Sequence, residues 1–496
     1  MILICLIAVL LAGGVLAAIS ARWNAAMARW IALASTVIDF ALVLFIWINH
    51  AGQIALLNST AWLEQVNWTW IPQLGIHFHL AIDGLSLLLL ALTFFVGAFS
   101  ILVSWTEITE SIGFFHLNVL WILAGIAGVF LAVDLFLFYF AWELMLVPMY
   151  FLIALWGRER RARAAVKFFL FTQAGGLLML VAILALYFFH YRSTGVFTFE
   201  YVDLLNTPLT ASTALWIMLG FFAAFAVKLP LFPFHTWLPD ACSEASTPVC
   251  VILASLLAKT AAYGMIRFLI PLFPNAAREF APVAMALGVV GILYGAVLAF
   301  GQTDLKRLVA YTSISHLGFI VLAVFSWNEL ALQGAVMTMI CHGLSVGALF
   351  ILIGALDARI HTRDLDRMGG LWSTAPRLSG AALFFALASM GLPGLGDFVG
   401  EFLILLGTYR DHPVFAIVAA IGVLASTFYA LRLIQRAFQG PNVHRVAMPD
   451  LVYREGFVIT LMAGALLWLG LNPQPVLRTF SPALHALETT VQIHRQ

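Results

Sequence analysis

The sequence predicts an all-α polytopic membrane protein of about fourteen transmembrane helices, the seventh and twelfth broken. Three observations carry this. Hydrophobic residues fill 63% of the 496 positions and charged residues only 10%, where a soluble domain carries about 25% charged residues. Apolar stretches near the length of about 20 residues that a span requires recur along the chain. Lysine and arginine sort onto alternate loops.

Taken in order, the apolar stretches lie at about 2–18, 29–49, 82–105, 115–132, 134–156, 164–190, 212–229, 247–271, 281–300, 307–326, 330–356, 376–409, 412–438 and 454–472. The first lacks the basic start of a signal peptide and is followed at once by another span, so it reads as a transmembrane helix. The longest loop, 50–81, carries Trp62, Trp68 and Trp70, a residue type suited to the membrane interface.

Orientation follows from the basic residues. Arg22, Arg29, Arg158, Arg160, Arg161, Arg163, Lys167, Lys306, Arg307, Arg359, Arg363, Arg367, Arg377, Arg432, Arg436, Arg445 and Arg454 fall on one side. Arg192, Arg267, Arg278, Arg410, Arg478 and Arg495 fall on the other. By the positive-inside rule the larger group is cytoplasmic and both termini lie outside. Only Lys228 and Lys259 fall at membrane depth.

Several function classes are excluded as readings. A net charge of +1 indicates no nucleic-acid partner. Cys5, Cys242, Cys250 and Cys341 lack the spacing of a metal or iron–sulfur site. No dinucleotide or P-loop fingerprint occurs, so no cofactor and no metal is expected in this chain, and no redox centre.

The ionisable residues at membrane depth are the candidate site. Lys228 ends an apolar helix and is followed by Pro230, Pro233, His235 and Pro239. It reads either as a lysine snorkelling from a helix end or as an ion site beside a helix break. Glu143 lies inside the fifth helix, with Pro148 five residues on. Lys259 sits midway along the eighth, too central to snorkel easily. Glu401 follows Pro393 and glycines 391, 394, 396 and 400, which break the twelfth helix; it reads as a dipole-favoured helix acid or as a second broken-helix site. Ionisable groups at this depth are costly and mark function by default. His235, His316 and His342 are candidates for a proton relay, each of which alone could equally be a hydrogen-bonded interior residue. Asp134 reads as structural, and Arg158 to Lys167 as a topology signal.

The two breaks are five helices apart, and an odd separation inverts topology. Helices 4–8 and 9–13 therefore read as two inverted five-helix repeats. The chain divides into 1–110 (helices 1–3 and the outer loop), 111–272 (first repeat), 273–440 (second repeat) and 441–496 (last helix and tail).

The sequence resembles, over nearly its whole length, the chain-4 or subunit-M family of the NADH–quinone oxidoreductases, the respiratory complex I. The resemblance is carried by Ile82-Asp-Gly-Leu-Ser-Leu, Trp142-Glu-Leu-Met-Leu-Val-Pro-Met-Tyr and Ala226-Val-Lys-Leu-Pro-Leu-Phe-Pro-Phe-His-Thr-Trp-Leu-Pro-Asp-Ala. It continues through Ala258-Lys-Thr, Ala310-Tyr-Thr-Ser-Ile-Ser-His-Leu-Gly-Phe, His342-Gly-Leu-Ser, Met368-Gly-Gly-Leu and Leu392-Pro-Gly-Leu-Gly-Asp-Phe-Val-Gly-Glu-Phe. It implies fourteen helices with two inverted repeats, and an antiporter-like subunit of the membrane arm that moves protons. NAD, FMN, iron–sulfur clusters and quinone would belong to partner subunits. The partners implied are other membrane-arm subunits, including neighbouring antiporter-like ones, and the lipid bilayer. Glu143, Lys228, Lys259 and Glu401 match the family's acid of the fifth helix, lysine of the seventh, lysine of the eighth and acid of the twelfth. His235, His316 and His342 match its polar axis.

One stretch departs. Where the family has a His, then Ala-Pro-Thr and a Ser, this chain has Cys242-Ser-Glu-Ala-Ser-Thr-Pro-Val-Cys250. A thiol relays protons poorly at neutral pH compared with imidazole, which puts an essential role for that His in doubt and leaves Glu244 or water as stand-ins. The alternatives are a subunit of a multi-subunit cation/proton antiporter or of a membrane-bound hydrogenase, which share the intramembrane charges. The loop His361-Thr-Arg-Asp-Leu resembles subunit M more than the antiporters.

Overall fold

The computed structural model describes residues 1–54, 62–442 and 447–493; Arg445 and Arg495 of the orientation reading lie outside them. Thirteen helices among the described residues are long and apolar enough to cross a membrane. They fall on the expected stretches with shifted ends. The ninth, for example, starts at Pro274 rather than near 281. The twelfth stretch is not one helix but two, Pro376–Ser389 and Gly396–Asp411. Gly391, with φ +75°, ends the first, and Pro393 cannot continue it.

Polar side chains start many of these helices. Asp83, Asp134, Thr210, Asp304 and Asn328 each accept from backbone N–H groups of the turn that follows, which satisfies donors that would otherwise be orphaned. The eighth helix, Thr247–Leu272, and the eleventh, Glu329–Ile360, form the centre: their most apolar windows are entirely buried.

The long outer loop contains a hairpin. Strand β1 (Glu64–Ile71) pairs antiparallel with β2 (Ile76–Ile82). Trp68 and Trp70 are about half exposed, at 51% and 47%. Trp62 instead lies 5.1 Å from the Arg267 guanidinium. The C-terminal tail is a helix, Gln474–Ile493, that buries Val476, Phe480, Ala483 and Leu484 on one face, the 3–4-residue spacing of an amphipathic helix.

The basic loops meet at one end. Arg158 pairs with Asp357, Lys167 and Arg307 share Asp240 at 2.7 and 2.8 Å, and Arg363 meets Asp304 at 3.2 Å. Two placements differ from the loop assignment. Arg267 is a buried residue of the eighth helix, paired with Asp83, because an arginine this close to a helix end is tolerated inside when a carboxylate meets it. Lys306 is buried in the first turn of the tenth helix, its Nζ donating to the Ala245 carbonyl at 2.9 Å.

Candidate functional site

The fifth helix is interrupted where Glu143 stands. Leu135–Leu144 and Leu146–Trp156 flank a turn at Met145, and Pro148 removes the N–H that would have bonded the Leu144 carbonyl. Glu143 is partly rather than fully buried. Its carboxylate faces Gly176 of the sixth helix, Arg161–Thr194, and interacts with Tyr139 one turn back.

The seventh helix, Ala211–Lys228, ends on its lysine. Beyond the break, a tight turn at Phe234–Thr236 leads into a second helix, Trp237–Glu244. The Val227 carbonyl freed by the break accepts from the Trp237 indole at 2.8 Å. Lys228 is 3% exposed. Its Nζ donates to the Trp142 carbonyl at 3.3 Å and sits 3.5 Å from that indole's centre. An ammonium over an indole face is attracted by the ring quadrupole. Glu143 is the next residue after Trp142, close enough to act on Lys228 electrostatically, but the two make no direct ion pair in the described structure. Snorkelling is thereby excluded: the ammonium is held inside.

The eighth helix opens into two π turns, Leu253–Leu257 and Met265–Leu269, on either side of Lys259. Such turns widen the helix and often mark functional positions. The Ala254 carbonyl, in the first of them, accepts from Lys259 Nζ at 2.7 Å. The same ammonium reaches His342 Nδ1 at 3.0 Å. The eleventh helix comes this close because it presents Gly343 and Gly347 to Ser255 of the eighth, where a Cβ would lie 3.1 and 2.7 Å from its atoms.

His342 lies 5.4 Å, ring centre to ring centre, from His316 of the tenth helix, Leu305–Val324. His316 Nδ1 meets Glu401 Oε1 at 2.7 Å, and its Nε2 meets the Tyr429 hydroxyl at 3.1 Å. Glu401 is held there by another small-residue contact: a Cβ on Gly400 would come within 2.4 Å of Thr338 Oγ1, the close helix approach that small residues permit. Lys259, His342, His316 and Glu401 are all at most 3% exposed.

The remaining candidates stand apart. His235 stacks on Phe232 and meets Tyr294 edge-on at 5.1 Å. Its Nδ1 is buried with no partner, and no described hydrogen bond joins it to either lysine. Cys242 and Cys250 are buried, the Cys250 thiol donating to the Cys242 carbonyl at 3.2 Å, so one thiol is engaged with backbone rather than with a relay. Asp134 caps the fifth helix through Phe136 and Leu137, the structural role expected of it.

Sequence reasoning missed four members of this interior. Asp397, 2% exposed, accepts from Ser345 Oγ at 3.0 Å; its place in the motif Gly396-Asp-Phe-Val-Gly-Glu401, one turn before Glu401, was the available signal. Tyr429 and the Asp83–Arg267 pair gave none, since their partners lie 113 and 184 residues away.

Comparison with known proteins shows what the chain is similar to. The family model described as NADH:quinone oxidoreductase/Mrp antiporter, TM, matches residues 132–428. Subunit M of the NADH-quinone oxidoreductase of Pseudomonas aeruginosa is 52% identical over 98% of this chain and 97% of its own length. The Escherichia coli K12 subunit M is 52% identical over 95% and 94%. Among solved structures, a chain of respiratory complex I from Thermus thermophilus superposes with TM-score 0.88, at 31% identity and 99% coverage of both chains. A chain of the Mrp complex from Dietzia shares the fold at TM-score 0.84 and 24% identity, with 99% of this chain and 52% of that one covered. The chain belongs to the family of NADH-quinone oxidoreductase subunit M.

Proposed function

We propose that this chain is a proton-translocating subunit of the membrane arm of a bacterial NADH–quinone oxidoreductase. It would sit in the inner membrane among other antiporter-like subunits, with both termini periplasmic. NADH oxidation and quinone reduction would take place in partner subunits, which hold NAD, FMN, iron–sulfur clusters and quinone. The observation that carries the reading is the buried run from Lys259 through His342 and His316 to Glu401. Four ionisable groups from four helices meet in an interior that would penalise each of them alone.

In this reading Glu143 controls Lys228 electrostatically, and Lys228 exchanges a proton with Lys259. From Lys259 the proton passes toward Glu401, the connection to the neighbouring subunit or the exit. Buried side chains without partners, Ser255 Oγ, Thr338 Oγ1 and His235 Nδ1 among them, suit the internal water that such transfers need. Helices 4–8 and 9–13, within 111–272 and 273–440, act as two inverted repeats, each with its broken helix; residues 1–110 and 441–496 flank them. The antiporter alternative is weaker: the 52% relatives are oxidoreductase subunits, while the Mrp likeness is 24%.

The test is Lys259→Ala and Glu143→Ala in the assembled complex. Inverted membrane vesicles are assayed for NADH-driven proton uptake by fluorescence quenching. NADH–ferricyanide reduction, which needs only the NADH-oxidising part, reports that this part is intact, and native gels of the solubilised membranes report assembly. Uptake lost with ferricyanide activity kept is the expected result. Assembled variants that pump with full proton yield per NADH refute the reading.

A further inference from the structure

The run from Lys259 to Glu401 has a gap, and one acid fits it. Lys259 Nζ lies 3.0 Å from His342 Nδ1. An ammonium only donates, so Nδ1 is the acceptor and the proton of a neutral ring is assigned to Nε2. That Nε2 is buried and meets no partner. A proton entering His342 at Nδ1 therefore leaves from Nε2. The neighbouring His316 ring offers it no landing place, because both His316 nitrogens are already engaged, one with Glu401 and one with Tyr429.

Asp397 supplies the missing acceptor. Ser345, one turn beyond His342 on the eleventh helix, donates to its Oδ1 at 3.0 Å and lies 3.4 Å from the His342 carbonyl. The other oxygen, Oδ2, is buried with no partner. Ser345 thus joins Asp397 to the backbone of His342, and each of these two residues keeps one buried polar atom without a partner. Asp397 is also four residues before Glu401 on the same helix, which places the two carboxyls on one face. The charged and titratable groups that act on it are Lys259, His316, Glu401, Cys341 and Tyr429.

We propose that Asp397 is a further proton-carrying residue, which takes the proton from His342 Nε2 and passes it toward Glu401. This rests on the proton-translocation reading. The two atoms make no hydrogen bond to each other, so the transfer runs through water: the N–H bond at His342 Nε2 breaks as the water takes that proton, and the water gives up another to form the O–H bond at Asp397 Oδ2. Imidazolium becomes imidazole and carboxylate becomes carboxylic acid, so charge is conserved and no electrons move. Release toward Glu401 restores the carboxylate.

Asp397→Asn keeps the acceptor for Ser345 and removes the titrating oxygen; Asp397→Glu keeps the acid. Each is placed in the whole complex and assayed in vesicles beside Lys259→Ala, across pH. The expected result for Asp397→Asn is a fall of about 100-fold in NADH-driven proton uptake, the lower end of what one acid–base group contributes. Ferricyanide reduction should be unchanged. Asp397→Glu should recover much of the uptake with a displaced pH profile, a readout that a purely structural role would not move. Wild-type uptake and pH profile in Asp397→Asn, with Lys259→Ala inactive, overturn the role of Asp397 alone. Full uptake in both overturns the parent reading. Where Asp397→Asn fails to assemble, Asp397→Glu decides: a displaced profile supports the proposal and an unchanged one overturns it.

Discussion

Gly176 offers a way to move Glu143 without removing it. A Cβ built on Gly176 would lie 2.1 Å from Glu143 Oε1 and 3.3 Å from its Cδ. In Gly176→Ala the carboxylate must retreat by at least about 1 Å to reach ordinary van der Waals separation. The fold should tolerate this. Glu143 is a flexible, partly exposed side chain, and alanine in a helix interior is favoured over glycine by about 1 kcal/mol. Function should not tolerate it. A misplacement of about 1 Å in a group that directs transfer can cost about 100-fold, or about 2.7 kcal/mol. In vesicles, Gly176→Ala should keep ferricyanide reduction and lose most NADH-driven proton uptake. The double variant Gly176→Ala/Glu143→Ala should be no worse than Glu143→Ala alone, since the clash acts only through the side chain that has been removed. Wild-type uptake in Gly176→Ala would refute the claim that the position of Glu143 governs transfer. Additive losses would show that Gly176 acts through something else.

Two further outcomes test the second half of the chain. Glu401→Ala strips a hydrogen-bond partner from a buried His316 and should destabilise the assembled complex by about 1–3 kcal/mol, whereas Glu401→Gln keeps a hydrogen-bond acceptor and should cost clearly less; thermal dissociation followed on native gels separates the two, and equal losses contradict the pairing. At the basic end, Asp450 accepts from the N–H groups of Arg377 and Leu378 at 2.8 and 2.9 Å and so starts the helix Pro376–Ser389. Burial works to raise its carboxyl, but the N–H groups of Arg377, Leu378 and Leu451 outweigh that and hold it below the usual carboxylate range. A lowered pKa means the stabilisation is complete above the ordinary carboxylate range and is lost as pH falls through the folded value. Asp450→Ala should cost about 1 kcal/mol at neutral pH, and the difference from wild type in thermal dissociation should shrink as pH is lowered below the ordinary carboxylate range.

The sequence makes the costly residues legible and leaves their partners hidden. Lys228, Lys259 and Glu401 stand out because a charge among apolar neighbours has a known penalty. What each one touches is set by residues far along the chain: His342 lies 83 residues from Lys259, and Glu401 lies 85 from His316. Asp397 sits on the page beside Glu401 yet reads as an ordinary first-turn acid until Ser345 and the free oxygen are seen. Arg267 reads as a loop residue in the sequence, yet distance from a helix end is a poor guide to burial when a distant Asp83 can receive the charge. The second strand of the hairpin has a signal in the sequence, since Ile76 to Ile82 alternates apolar and polar residues over its first half.

The two halves of the site differ in a way that bears on where transfer is controlled. From Lys259 onward, buried groups stand within hydrogen-bond reach of one another, interrupted only at the step where Asp397 fits. Between Lys228 and Lys259 there is no such run among the described residues. The Lys228 ammonium is turned toward Trp142, His235 keeps a bare nitrogen, and the position where the family's His would stand is a buried cysteine. A preformed run transmits a proton once it arrives, whereas a gap must be filled by water or closed by movement. On the proposed reading, the slow and therefore controllable event lies at the first gap. Glu143 is well placed to control it, because it is next in sequence to the one carbonyl and ring that hold Lys228 and is itself only partly buried. A change in its charge or position, imposed from outside the chain, would reach the lysine through a single residue.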